Sequence, residues 1–192
     1  MKRRHFFSTI GLGAFLASSI GIASASDTVK NTNKKASAGR IDQRLNELGI
    51  VVPEATAPMA VYAPYRVTGN LVYIAGQGPA HTPENPGIGR VGHDLTTRQG
   101  YMAARSTGLN ILAQLKAACG GDLDRVTQCI QIHGVVRCTE DFEDSPKVIN
   151  GASELFRDIF GQSGLAARAA MGAYALPAGI ACEIISIWEI DI

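Results

Sequence analysis

The chain has no long apolar run. Its most uncharged stretch, Ile10 to Ile22, is thick with Gly and Ser and falls short of the roughly 20 strongly apolar residues that a membrane span needs, so no anchor is predicted there. A broad basic face is missing as well. The formal net charge is +1, yet Lys2, Arg3 and Arg4 stand in a first segment of 25 residues that holds no acid, which leaves the rest net acidic. That argues against nonspecific nucleic-acid binding through a positive stripe. The four cysteines, Cys119, Cys129, Cys138 and Cys182, have neither zinc-site spacing nor the density of a disulfide scaffold. Each lies in an apolar run and reads as a small core hydrophobe. His81, His93 and His133 are scattered singly, so paired histidines and metal catalysis are not predicted, and His133 on an apolar strand reads as an interior histidine.

One glycine motif also lacks its context. Gly87-Ile88-Gly89-Arg90-Val91-Gly92 matches G-x-G-x-x-G, a pattern that requires a strand before it and a helix opening within it. Pro83-Glu84-Asn85-Pro86 precedes it and His93-Asp94-Leu95-Thr96 follows. The match is a chance one in a glycine-rich loop, and no cofactor is predicted.

What is present begins with a leader. Lys2, Arg3 and Arg4 are followed by Phe6-Phe7, the uncharged run and then Ala23-Ser24-Ala25, a small-x-small cleavage site. The adjacent arginines point to a twin-arginine signal peptide over residues 1–25, hence a periplasmic or secreted product without a stable membrane anchor. Residues 26–42 read as a disordered tether, polar to about Gly39, and residues 43–192 as one compact domain with a real core. Ile41, Leu45 and Leu48 recur at helical spacing before Gly49.

Within the domain, Met59–Val67 and Leu71–Gln77 are predicted as strands joined at Thr68-Gly69-Asn70. A long helix is predicted from Thr97 to Ala118, with Met102, Leu109, Leu112 and Leu115 buried and Gly120-Gly121 as its stop. Gly108 in its middle implies that something packs close. Val126–Val136 is dense in branched residues and reads as a strand. A second helix follows over Pro146–Phe160, with Ser145 as N-cap and Gly161 as its end. Each helix has one apolar stripe, so both are expected on one face of a sheet, giving an α+β domain. The opposite face, apolar at Ile185, needs cover, and further copies of the chain would supply it.

The last stretch, Arg168 to Ile192, carries the chemistry. Two runs flank Leu176-Pro177-Ala178-Gly179, and the segment reads as a β-hairpin. Alternation puts Cys182, Ile184, Ser186, Trp188 and Ile190 on one face and Glu183, Ile185, Ile187 and Glu189 on the other. Glu183 thus falls where a carboxylate is costly unless a cation or donors meet it. Arg168 opens the other limb with no acid in its run. Two readings of this pair stand open: an ion pair that ties the sheet together, or a functional pair in one cleft.

Several segments in order resemble one family: Pro64-Tyr65, Gly69-Asn70-Leu71-Val72-Tyr73-Ile74-Ala75-Gly76-Gln77, Asn110, Asp141-Phe142, Val148-Ile149-Asn150, Ala167-Arg168, Leu176-Pro177 and Glu183. They are similar to the Rid family of imine/enamine deaminases, also called YjgF or L-PSP endoribonuclease-like proteins. Within it, Arg44-Leu45-Asn46-Glu47-Leu48-Gly49-Ile50 and Lys147 to Ser153 resemble one branch. The resemblance implies a chorismate-mutase-like fold, a homotrimer with pockets between subunits, and no cofactor or metal. It implies that Arg168 grips the carboxylate of a small imino acid, that Glu183 orients water for attack on the imine carbon, and that Tyr65, Ala75, Gly76 and Asn150 line the pocket. The product would be a 2-keto acid. A trimeric module that binds small carboxylates without turning them over is the alternative. Ala170 stands where many deaminases carry a cysteine and Ala169 where a serine is usual, so the strand after Arg168 offers few polar groups.

Overall fold

A computed structural model describes residues 39–82 and 87–192. The predicted leader, most of the predicted tether and Pro83–Pro86 lie outside the described residues.

The domain is a five-stranded mixed sheet with two long helices on one face. Its elements are α1 (Arg40–Glu47), β1 (Tyr65–Thr68), β2 (Leu71–Gln77), α2 (Thr97–Ala118), β3 (Val126–Arg137), α3 (Ser145–Phe160), β4 (Ala167–Ala173) and β5 (Cys182–Ile190). The fold class is α+β, as the sequence implies.

Both long helices start and stop on local chemistry. Thr96 accepts from the Gln99 amide while the Gln99 side chain accepts from the Thr96 amide, a reciprocal cap that fixes the first turn of α2. Gly120 and Gly121, both at positive φ, end it. Pro146 sits in the first turn of α3, and Gly161, at φ +65, terminates it. Its N-cap position is Asp144 rather than Ser145, whose side chain is buried. The first helix begins at Arg40, inside the stretch assigned to the tether, because Asp124 accepts from the amides of Arg40 and Ile41 at 2.7 Å each. A cap 84 residues away leaves no trace in the local sequence.

The strand order is β1-β2-β5-β3-β4. This corrects the hairpin reading of Arg168–Ile192. β4 runs parallel to β3 after the α3 crossover, β5 runs antiparallel to β3 on its other side, and β4 and β5 do not pair with each other. A turn at Leu176–Gly179 is equally compatible with direct pairing and with a third strand slotted between the limbs. β1 is also shorter than predicted: Met59 and Val61 are exposed and precede the strand.

The core lies between the sheet and the helices. Trp188 of β5 is fully buried against Phe156 and Phe160 of α3, with ring centroids at 5.0 and 5.5 Å, and its indole N–H donates to Ser186 Oγ. Such aromatic pairs add about 0.5–1.5 kcal/mol each beyond burial, and here they pin α3 to the sheet. All four cysteines are free and buried, and burial pushes the thiols of Cys129 and Cys182 up to about 12, so neither is a nucleophile. Met102, predicted as buried, is partly exposed on α2.

Two glycines let the two long helices close up on each other. Gly108 meets Leu155 and Ala152 of α3, and a Cβ on Gly151 would collide with the backbone carbonyl of Tyr101 on α2. A carbonyl oxygen cannot rotate away as a side chain can. Gly151→Ala is therefore expected to cost about 1–3 kcal/mol by overpacking, read as a lower urea midpoint at unchanged m-value.

Glu189 ties three strands at the far end of the sheet. It accepts from Asn70 Nδ2 at 2.7 Å, Gln128 Nε2 at 2.7 Å and Thr127 Oγ1 at 3.2 Å. The bonds from Gln128 and Thr127 hold its carboxyl below the usual range. A pKa lowered on folding stabilises above the unfolded-state value, and that contribution is lost as pH falls through the folded one. Urea titrations of wild type and Glu189→Gln should differ near pH 7 and converge in acid. A difference that persists unchanged in acid would mean that the ionised carboxylate is not what matters.

Candidate functional site

Register decides which way each predicted site residue faces. Arg168 is opposite Ile132, and Ile132 is opposite Ser186; both neighbours are buried under the helices. Arg168 therefore projects on the helix side, at the sheet edge, beside α3. There its Nη1 donates to Asn150 Oδ1 at 2.7 Å and to Ser153 Oγ at 3.1 Å. Nε and Nη2 have no hydrogen-bond partner among the described residues, and no ion pair among them involves Arg168. The ion-pair reading of Arg168 and Glu183 is thus not what the structure contains. Two neutral acceptors hold one nitrogen of the fork, and the rest stays free for an anion.

The guanidinium borders a groove of about 250 Å3. Asn150, Ser153, Glu154 and Arg157 form one wall, a single stripe of α3, with Leu165 and Arg168 opposite. Asn150 was named from the sequence, whereas Ser153, Glu154 and Arg157 were missed. Helical spacing from Asn150 was the available signal, since positions three, four and seven residues on share its face. What the sequence did not supply was that β4 abuts that face.

Glu183 is elsewhere. It is opposite Val135 on β3 and points to the open face, away from the helices. It is half-buried and makes no hydrogen bond among the described residues. A Cβ on Gly76 would occupy the place of its Oε1, so the glycine makes room for the carboxylate. Ala75 and Gly76 fall in the register irregularity between Ile74 and Gln77, where the Gln77 side-chain amide donates to both of their carbonyls at 3.2 Å. Glu183, Ala75 and Gly76 are thus brought together, as the sequence reading expects. Tyr65 is not with them: it is opposite Ile74, faces the helices and packs on the core.

Within one protomer, Arg168 and Glu183 do not share a cleft. They stand two strands apart and three residues apart along the ladder. Standard strand spacings make that roughly 14 Å between α-carbons, and the side chains leave on opposite faces. The cause is β3, inserted between limbs that were read as neighbours. In a 2-imino acid the carboxylate and imine carbons are about 1.5 Å apart, so one molecule cannot touch both groups of the same protomer.

A family model described as YjgF/chorismate mutase-like, putative endoribonuclease, matches residues 42–190. The chain belongs to this family. It is 36% identical over 155 residues to Protein TCP17 of Trypanosoma cruzi, covering 80% of this chain and 96% of that protein. The crystal structure of Agrobacterium tumefaciens Atu1372, a protein of unknown function, is 40% identical with a TM-score of 0.72, covering 79% of this chain and 92% of the other. A putative endoribonuclease from Shewanella oneidensis is 33% identical with a TM-score of 0.73, covering 78% and 99%. The Rid-like family indicated by the motifs is therefore the one to which this fold belongs. The G-x-G-x-x-G match opens no helix: Gly92 to Leu95 form a turn, and α2 starts at Thr97. Among the described residues no cluster of His, Cys, Asp and Glu is arranged for a metal ion, and no helix is long and apolar enough to cross a membrane.

The free edge of Arg168 can be tested without any knowledge of the substrate. Asn150→Asp puts a carboxylate where the neutral acceptor now stands, 2.7 Å from Nη1. Pyruvate binding, measured by calorimetry, should weaken at least about tenfold from neutralising the grip, a loss near 1.4 kcal/mol, while thermal stability holds or rises.

Proposed function

We propose that this protein hydrolyses small 2-imino or enamine acids to 2-keto acids and ammonia, with Arg168 holding the carboxylate and Glu183 orienting water. The observation that carries the reading is the free edge of Arg168. A cation fastened by Asn150 and Ser153 and without an ion-pair partner among the described residues is preorganised for a carboxylate. Water adds to the imine carbon, a proton passes to nitrogen, the C–N bond breaks and ammonia leaves. Free imines hydrolyse unaided, so positioning and proton transfer suffice.

Because the two groups occupy opposite faces of one sheet, a working cleft must join Arg168 of one copy to Glu183 of another. The open face supports an assembly of three copies. Tyr73, Met171 and Ile185 lie on it and are each more than 40% exposed, a patch that monomers seldom leave uncovered. Arg137 on the same face donates Nη1 to the Gly179 carbonyl at 3.1 Å, while its buried Nε lacks an acceptor. The twin arginines, the uncharged run and Ala23-Ser24-Ala25 support export to the periplasm or the medium. Ribonuclease chemistry has little support: among the described residues no paired histidines accompany Arg168, and its groove holds the carboxylate of Glu154 beside Arg157.

A second reading, a trimeric carboxylate-binding module without turnover, is favoured by the separation of Arg168 from Glu183. Freshly generated iminopropionate separates the two. Wild type should release pyruvate faster than buffer, and Glu183→Gln should lose about 100-fold or more while still binding pyruvate. Mixed oligomers of Arg168→Ala and Glu183→Gln chains should regain part of the activity, because some clefts then combine an intact residue from each. Wild type no faster than buffer, with Arg168-dependent pyruvate binding retained, would establish the binding module instead.

A further inference from the structure

The groove beside Arg168 contains a carboxylate of its own. Glu154 lies on the same stripe of α3 as Asn150, Ser153 and Arg157, and lines the cavity with them. It is half-buried and its orientation is fixed: Tyr101 on α2 donates its hydroxyl to Glu154 Oε2 at 2.7 Å. The Arg98 guanidinium lies 5.1 Å from the centre of the Tyr101 ring and holds that side chain in turn. The hydrogen bond to Glu154 raises the pKa of the phenol, so Tyr101 remains the donor and Glu154 the acceptor. With Oε2 occupied, Oε1 is left without a hydrogen-bond partner among the described residues.

The groove therefore presents the free guanidinium edge of Arg168, an anionic oxygen of Glu154 and the apolar side chain of Leu165 around one small space, with the second guanidinium, Arg157, paired to Asp158 at 3.6 Å. Its volume of about 250 Å3 is roughly that of eight waters at about 30 Å3 each, room for an acid of six to eight heavy atoms. A cation and an anion facing one small cavity complement a molecule that is itself both. A protonated 2-imino acid is such a zwitterion, with its carboxylate one bond from the carbon that bears the positive nitrogen.

We infer that Glu154 is a second catalytic residue of this site, binding the iminium nitrogen of a substrate whose carboxylate rests on Arg168 and relaying the proton that the departing nitrogen requires. The inference rests on the imine-hydrolysis reading for its chemistry, and on the cavity and its contacts for its geometry. Water adds to the imine carbon and loses a proton to Glu154. Glu154 returns that proton to the amino nitrogen, the C–N bond breaks to release ammonia, and the carbinol oxygen passes its proton to Glu154 as the carbonyl forms, from which ammonia takes it to leave as ammonium. The sum is iminium acid plus water going to 2-keto acid plus ammonium, with no oxidant or reductant. Glu183 orients water from the neighbouring copy, and Glu154 serves the nitrogen. Tyr101 is a positioning residue that selects which oxygen of Glu154 faces the groove.

Two measurements on the full chain test this separately from the imine reading. The first is the hydrolysis of iminopropionate by wild type, Glu154→Gln and Tyr101→Phe. A glutamine still accepts from Tyr101, so the fold should survive, and circular dichroism checks it. Glu154→Gln should lower kcat by about 10²–10⁴-fold, the range for loss of a positioned proton-transfer group, and Tyr101→Phe by less. The second is calorimetric binding of alanine against propionate, which share a carboxylate and differ in the ammonium group. Wild type should prefer alanine, and Glu154→Gln should lose that preference. Wild-type kcat in Glu154→Gln, or no preference for alanine in wild type, overturns the assignment. A wild type that hydrolyses no imine but prefers alanine through Glu154 sinks the hydrolase reading and leaves Glu154 as the nitrogen-binding group.

Discussion

The position of β3 between β4 and β5 is the constraint from which the rest follows. Its twelve residues hydrogen-bond to β4 on one side and β5 on the other, so one backbone register fixes the facing of every side chain on the three strands. Side-chain direction alternates with a period of two, and a slip of one residue would turn each of them over. Ile132 and Val136 go under the helices, and Gly134 admits Ile149 of α3, whose atoms a Cβ would meet at 2.6 Å. The same ladder sends Arg168 towards α3 and Glu183 to the open face. Functional geometry here is a consequence of strand pairing, not of proximity along the chain.

Much of this was readable from residue types. The ends of α2 and the stop of α3 follow from Thr96, Gly120-Gly121 and Gly161, where capping and positive φ leave a local mark. Alternation along β5 sorted Ile184, Ser186 and Trp188 from Glu183 and Ile185 correctly, because that signal belongs to a single strand. Pairing partners belong to two strands at once and are not written in either. The turn residues at Leu176–Gly179 suit a tight hairpin, and nothing in them records that β3 would occupy the gap. The same limit hid the burial of Tyr65, which depends on the register with Ile74, and the capping of α1 by Asp124. The stripe of α3 that includes Glu154 was implicit in helical periodicity, but β4 had to be placed before it became a wall of anything.

The charges divide into two kinds. Glu189 accepts three hydrogen bonds, two from β3 and one from the turn before β2, and Asp124 takes two backbone amides, so both are compensated by the fold itself. Arg168 is held by neutral acceptors and Glu183 by none. A half-buried carboxylate such as Glu183 that the protein does not pair is costly unless something from outside completes it, whereas Arg168 is exposed and keeps its free edge in water at little cost. That distinction rests on hydrogen-bond partners alone and owes nothing to family membership.

On the proposed reading, the same geometry would couple assembly to chemistry. In a single protomer both groups meet water, where a charge pair at 4 Å is worth only about 1 kcal/mol and rises several-fold as the effective dielectric falls. Covering the apolar face around Tyr73, Met171 and Ile185 would remove that water from the side of the sheet where Glu183 stands. Contact between copies would then do two things at once: bury the exposed hydrophobic surface and turn a weakly interacting carboxylate into one able to hold a water in place. Arg168 is on β4, one of the two edge strands, and an edge strand has a neighbour on one side only, which leaves it open towards such a boundary. A cleft completed in this way could not be half-formed, because the surface that drives association is the surface that carries the acid.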